Sequence, residues 1–216
     1  SLPLKLREGD HAAGMVATAL EYLEWFESWS FDQTVVSVKH TDVETTYRAY
    51  RELSRQTDYP LHLGVTEAGG VITAVARSTW VLGRLLHEGI GDTIRISITD
   101  DREHEIAAAR EILRTVGLES GGIRLVSCPR CGRASFDSQA FLKRIQGRLL
   151  QVDAPLTVAI MGCQVNGPGE AAHADIAITG IGNRVYLYEK GKLIKEVRSE
   201  TAEEELFKRI EELAHA

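Results

Sequence analysis

Cys128-Pro129-Arg130-Cys131 and, further along, Cys163 are the residues of this chain best suited to holding a metal. Thiolates in a Cys-x-x-Cys spacing can reach one ion or two corners of an iron–sulfur cluster. Cys163 opens a run that continues through Asn166-Gly167-Pro168-Gly169-Glu170. Glycines there let backbone approach a bulky group and aim amides at its sulfurs. Three cysteines leave a fourth position to fill. A structural zinc site is normally closed by four ligands, and His173 would make it Cys₃His. Glu170 would instead complete an iron–sulfur cluster through oxygen, a weaker ligand than a thiolate and more easily displaced. Thiols that bind no metal, or that act in redox exchange, are the third reading. Asn166 can hold the turn or orient a substrate beside Glu170.

A second set of candidates lies earlier, at the carboxyl ends of presumptive strands, where α/β proteins place their chemistry. Lys39 ends one strand, Glu67 follows the next, and Arg95 and Ser97 lie on one face of a third. Lys39 and Glu67 are 28 residues apart, as are Glu67 and Arg95. Equal spacing predicts similar heights around one mouth. Lys, Arg and Ser suit a phosphate or diphosphate, and Glu67 beside them is an acid/base candidate. Lys39 as a solvated strand end and Glu67 as a helix-start carboxylate are the plain alternatives. Arg95 and Ser97 would then be structural partners of Glu67. His62, inside a strand, is expected as a hydrogen-bonded core residue.

The elements that must position these residues follow from periodicity. Helices are expected over 11–28, from 42 to about 57, over 71–87, and up to about 116. Strands are expected at 35–38, 61–65 and 93–98, with a fourth at 123–126. Strands alternating with single helices imply parallel pairing and right-handed crossovers. A complete (β/α)₈ barrel takes ~250 residues, whereas residues 1–122 supply about half of that. Residues 1–122 therefore suit either a partial TIM barrel, built from the later strand–helix units without the first half, or a small doubly wound sheet. Residues 123–216 read as a separate α+β domain. It has a helix from 137 to 150 and strands at 156–161, 174–179, 185–188 and 193–197. Gly191 lies in a hairpin turn, and Thr201 to Glu204 form a capping box for the last helix.

The whole chain of 216 residues carries a net charge of −6, with 44% hydrophobic and 26% charged residues. That composition belongs to a folded globular protein and excludes disordered or collagen-like chains. Its acidity argues against a general nucleic-acid binder, while leaving room for a local basic pocket. No apolar run approaches the ~18 residues of a membrane helix. The opening Ser1-Leu2-Pro3-Leu4 has no signal-peptide core. An odd cysteine count makes no disulfide framework, so a reducing, cytoplasmic setting is expected.

Five stretches carry a family resemblance. They are Ser37-Val38-Lys39, Leu61 to Gly69 (LHLGVTEAG), Glu88 to Ser97 (EGIGDTIRIS), Cys128 to Arg133 (CPRCGR) and Met161 to Ala171 (MGCQVNGPGEA). In that order they strongly resemble the 4-hydroxy-3-methylbut-2-enyl diphosphate synthases, iron–sulfur enzymes of the non-mevalonate isoprenoid pathway. The resemblance implies a TIM-barrel domain followed by a cluster domain. The activity it implies is reductive ring opening and dehydroxylation of 2-C-methyl-D-erythritol 2,4-cyclodiphosphate, fed by flavodoxin or ferredoxin. It assigns Cys128, Cys131, Cys163 and Glu170 to a 4Fe-4S cluster. Lys39, Arg95 and Ser97 match diphosphate ligands, and Glu67 and Asn166 match residues around the reacting end. It also implies a homodimer. The alternatives are a zinc-stabilised structural or interaction module and an inactive fragment of such an enzyme.

Overall fold

A computed structural model describes residues 10–119, 121–129, 131–163 and 167–215. The chain divides into two compact units, Ser1–Glu119 and Ser120–Ala216.

In the first unit, α1 (His11–Ser28) begins where the Asp10 carboxylate accepts the Ala13 N–H at 3.2 Å. Asp42 caps α2 (Val43–Leu53) in the same way through Thr45, at 2.8 Å. These side chains satisfy amides that a helix start leaves without partners. α2 stops four residues short of the expected Thr57. There the Ser54 hydroxyl bonds back to the Arg51 carbonyl, and Gln56 N–H turns to the Leu53 carbonyl. Such local bonds compete with continued α-helix. Strand β1 (His62–Leu63), α3 (Val71–His87), β2 (Thr93–Ile94) and α4 (Arg102–Thr115) follow.

β1 and β2 pair in parallel, with His62 opposite Thr93 and Leu63 opposite Ile94. The segment expected as a strand at 35–38 is extended and forms one parallel bridge, Val36 to Leu61. Alternation sorts the faces. Val38, Leu61, Leu63, Val65, Ile96 and Ile98 are buried, in one core with Tyr50, Leu53, Leu82 and Leu85 from the helices. The opposite face carries Ser37, Lys39, His62, Gly64, Thr66, Thr93, Arg95 and Ser97. Gly91 shows how closely this unit is packed. Its φ is +114°, and a Cβ there would lie 2.3 Å from Leu63 Cδ1.

The second unit is a five-stranded sheet in the order β3 (Arg124–Ser127), β4 (Thr157–Met161), β5 (Ile176–Ile181), β6 (Arg184–Glu189) and β7 (Lys192–Arg198). β3, β4 and β5 are parallel and the rest antiparallel. The strand at 123–126, which the repeat pattern continued from the preceding strand–helix units, belongs to this second sheet. A run of apolar residues specifies a strand but not its neighbour.

Helices α5 (Ser138–Gln151) and α7 (Ala202–Ala214) share one core with the sheet, built from Phe141, Ile145, Val158, Ile160, Ile178, Leu206 and others. The other face is alanine-rich. There Ala159, Met161 and Ala177 meet Ala171 at the end of the short α6 (Gly167–Ala171). Lys190 and Gly191 join β6 to β7 with φ of +46° and +80°. Two left-handed central residues are the signature of a tight hairpin that matches strand twist. The expected capping box at Thr201 does not form. Thr201 makes no side-chain cap bond, and its hydroxyl donates to the Arg198 carbonyl instead.

Candidate cysteine centre and cationic strand face

The cysteines sit at the carboxyl ends of β3 and β4. Ser127 pairs with Ile160, which brings Cys128 level with Met161 and beside Gly162. The Gly162 N–H donates to Cys128 Sγ at 3.3 Å. Cys128 is half-buried and packs on the alanine face with Met161 and Ala171, the residue after Glu170. Cys163 is buried, and its carbonyl accepts the Thr179 hydroxyl at 2.9 Å. Cys131 is exposed, and its carbonyl accepts the Ala134 N–H at 3.0 Å. Glu170 is exposed on α6. Asn166 lies outside the described residues.

Two features test this end of the sheet for a sulfur-bound group. An amide aimed at a cysteine sulfur stabilises thiolate charge and tunes a bound cluster. Space is tight around Gly162, where a Cβ would lie 3.1 Å from Ser138 Oγ and 3.3 Å from the Phe136 carbonyl. The donor set of three sulfurs and one carboxylate fits soft iron better than hard cations. Among the described residues no three His, Cys, Asp or Glu side chains converge to hold a single metal ion. A four-iron cluster takes one ligand at each corner and spreads its ligands wider than one ion does.

The first unit brings Lys39 and Arg95 together. Extending the Val36–Leu61 and Leu63–Ile94 registers aligns Lys39, Gly64 and Arg95 in one row. A Cβ on Gly64 would lie 3.0 Å from Lys39 Cε, 3.3 Å from its Nζ and 2.9 Å from the Arg95 carbonyl. Glycine is thus what lets the Lys39 side chain lie across the middle strand. Burial and then the Arg95 charge hold the Lys39 ammonium below its ordinary value. Among the described residues neither cation forms an ion pair with a carboxylate. Ser97 lies two residues beyond Arg95 on the same face.

Glu67 stands three residues past the Gly64 row, so the equal 28-residue spacing does not put it level with Lys39 and Arg95. The strand–helix units differ in loop and helix length, and spacing alone cannot see that. Glu67 is exposed, with φ of +51°, a left-handed conformation uncommon for a non-glycine residue. Among the described residues it makes no hydrogen bond or ion pair, so it is not the partner of Arg95.

His62 is not the expected core residue. It is half-buried on the polar face, with Nδ1 2.9 Å from Thr93 Oγ1. Burial, then the charges of Lys39 and Arg95, lower its pKa. Sequence reasoning missed it as a member of this face. The signal was available, since His62 and Gly64 alternate in phase with Arg95 and Ser97.

Comparison with known proteins joins the two sites. The GcpE TIM-barrel domain model matches residues 1–110, and the GcpE protein C-terminal domain model matches residues 124–212. The chain is 45% identical over 187 residues to the 4-hydroxy-3-methylbut-2-en-1-yl diphosphate synthase (flavodoxin) of Treponema pallidum (strain Nichols), covering 87% of this chain and 46% of that protein. The protein of the same name from Desulfotalea psychrophila is 43% identical over 204 residues, covering 94% and 56%. That of Treponema denticola is 46% identical over 194 residues, covering 89% and 50%. The chain spans about half the length of the curated relatives it matches. With the polar strand face and the cysteine-bearing sheet each matched by its own model, the chain belongs to the GcpE family.

Proposed function

We propose that this chain carries the later strand–helix units of a TIM barrel and the iron–sulfur domain of a 4-hydroxy-3-methylbut-2-enyl diphosphate synthase. Its substrate is 2-C-methyl-D-erythritol 2,4-cyclodiphosphate. The reaction opens the ring reductively and removes one oxygen as water. The relatives' names carry flavodoxin, which makes a flavodoxin, or a ferredoxin of similar potential, the electron donor. We place the protein in the cytoplasm as a homodimer. The family membership, the strand-face cations that pair with no carboxylate among the described residues, and the sulfur-directed amide support this reading.

Each residue's task follows from its chemistry. Lys39 and Arg95 bind the diphosphate, two cations in one row where no carboxylate among the described residues pairs with them. Ser97 donates a hydroxyl hydrogen bond on the same face. Glu67, held left-handed at the strand end, carries a proton toward the departing hydroxyl. Asn166 orients the reacting end of the substrate. Cys128, Cys131 and Cys163 hold a 4Fe-4S cluster, with Glu170 at the fourth corner. When bound, the cluster supplies electrons one at a time and a Lewis-acid corner. The Gly162 amide offsets negative charge on the Cys128 sulfur.

The observation that carries the cluster reading is the Gly162 N–H aimed at Cys128 Sγ between paired strand ends. Anaerobic reconstitution with iron and sulfide, followed by iron and acid-labile sulfide analysis and EPR of the reduced protein, tests it. The expected result is a reduced-cluster signal that the Cys128→Ala variant loses. Protein that takes up zinc but no acid-labile sulfide would overturn it.

A further inference from the structure

The segment that carries Cys131 is fastened to the sheet by the Phe136 ring, by the Ser135 hydroxyl, which donates to the Gly180 carbonyl at 3.3 Å, and by a short set of backbone bonds. The Gly162 carbonyl accepts from the N–H groups of Ser135, at 2.9 Å, and Phe136, at 3.2 Å. The Ser135 carbonyl accepts the Gly182 N–H at 3.0 Å. Between these bonds Phe136 is buried, with its ring 5.5 Å from that of Phe141. Its seat is Gly180 on β5. A Cβ at position 180 would lie 2.4 Å from Phe136 Cγ and 2.6 Å from its Cβ, closer than any side chain allows. Gly180 has ordinary strand backbone, so steric room alone requires glycine there. The same two strands hold the other thiols. Gly162 bonds Cys128 Sγ, and Thr179, next to Gly180, bonds the Cys163 carbonyl.

We propose that Phe136, seated on Gly180, is a positioning residue. It fixes the Cys131 loop against the ends of β4 and β5, so that the three thiols stand in one frame before any iron is bound. As a claim about cluster loading, this rests on the iron–sulfur reading above. As a claim about the apo protein, it does not. The physical basis is general. A buried aromatic in a glycine-shaped recess has no alternative seat, and interiors resist rearrangement because they are close-packed. Without the ring, the backbone bonds at Gly162 and Gly182 and the Ser135 hydroxyl bond to the Gly180 carbonyl are left to hold the loop. Local opening then becomes frequent.

The test uses the full chain in its metal-free, reduced form. Iodoacetamide labelling of Cys128, Cys131 and Cys163 is followed separately by mass spectrometry. Phe136→Leu and Gly180→Ala are expected to speed labelling of the buried Cys163 by about tenfold, while Cys131, already exposed, changes little. Phe207→Leu is the control, because Phe207 is buried in the same core but lies on α7. Matched for its loss of stability in urea, it is expected to leave Cys163 labelling unchanged. If Phe207→Leu accelerates Cys163 as much as Phe136→Leu does, Phe136 merely stabilises the fold and the proposal fails. It fails equally if neither Phe136→Leu nor Gly180→Ala changes the labelling. Reconstitution of the same proteins separates the two claims. If the variants show the labelling difference but wild-type protein takes up no sulfide, the cluster reading is removed and the positioning role stands.

Discussion

The two units solve the problem of holding chemistry in place by different means. In the first unit the regular strands are two residues long, β1 and β2, and the polar groups project from one face of the strands. Order there comes from helices packed on the opposite face, where Leu63, Val81, Leu82 and Leu85 are completely buried. In the second unit the sheet is a continuous five-stranded ladder, and its chemistry sits in loops at strand ends. Ion pairs occur in both units, and in the first Arg48 meets Asp10 and Arg51 meets Glu88. Arg144 and Arg148 share Glu203, Lys195 meets Glu205, and Arg209 meets Glu189, all within the second unit. Lys39 and Arg95 in the first have no such partner among the described residues. Cations tied to carboxylates serve the fold, whereas cations left without them on a polar face are available to an anion.

The sharpest way to break this contrast is to unfold the units separately. All three tryptophans, Trp25, Trp29 and Trp80, lie in the first unit, so their fluorescence reports it alone. Gly91→Ala would force a Cβ into Leu63 at a left-handed φ. It is expected to cost about 3 kcal/mol and to move the fluorescence transition in urea. Ile178→Ala empties a fully buried site in β5 at a similar cost of about 3 kcal/mol. It should move the circular dichroism transition and leave tryptophan fluorescence in place. Both mutations shifting both probes together would show one cooperative body rather than two units.

The charge contrast predicts a smaller effect. Lys39→Met is expected to weaken pyrophosphate binding, measured by calorimetry on the full chain, by roughly tenfold, the worth of one charge-assisted hydrogen bond. An anion favours the charged lysine. Because the Lys39 pKa is lowered in the folded protein, affinity should fall as pH rises through that lowered value, below the ordinary 10.5. The Met variant should lack this alkaline decline. The stability sign is opposite. The unfolded chain binds the Lys39 proton more tightly than the folded one, so this residue's cost to stability is full below the lowered value and relieved as pH rises toward 10.5. Unchanged pyrophosphate affinity in Lys39→Met would mean that an unpaired cation on this face is not an anion site.

The smallest effects test how the second unit's helices begin. Asp137 caps α5 through the Ala140 N–H at 3.0 Å, and Asp137→Ala is expected to cost about 1 kcal/mol in urea unfolding followed by circular dichroism. Thr201 makes no such bond, and Thr201→Ala should stay within about 0.5 kcal/mol of wild type. Equal losses in the two variants would restore the capping box that sequence reasoning expected.

Much of this protein was legible from residue order. The alternation that puts Ser37, Lys39, His62, Arg95 and Ser97 on one face and Val38, Leu63, Val65, Ile96 and Ile98 on the other is a period of two that any reader can count. Helix starts at Asp10, Asp42 and Asp137 follow from side chains that bond the first free amides. The Cys-x-x-Cys spacing and the glycine-rich run after Cys163 declare their chemistry through residue type. Partnership across the chain was decided only in three dimensions. Glu67 stood three residues beyond the row of Lys39 and Arg95, and Phe136 found its seat on Gly180. Periodicity reports which way a side chain points because it is a property of the local backbone. Which distant residue it meets depends on loop lengths and close packing, and those are settled only when the whole core closes.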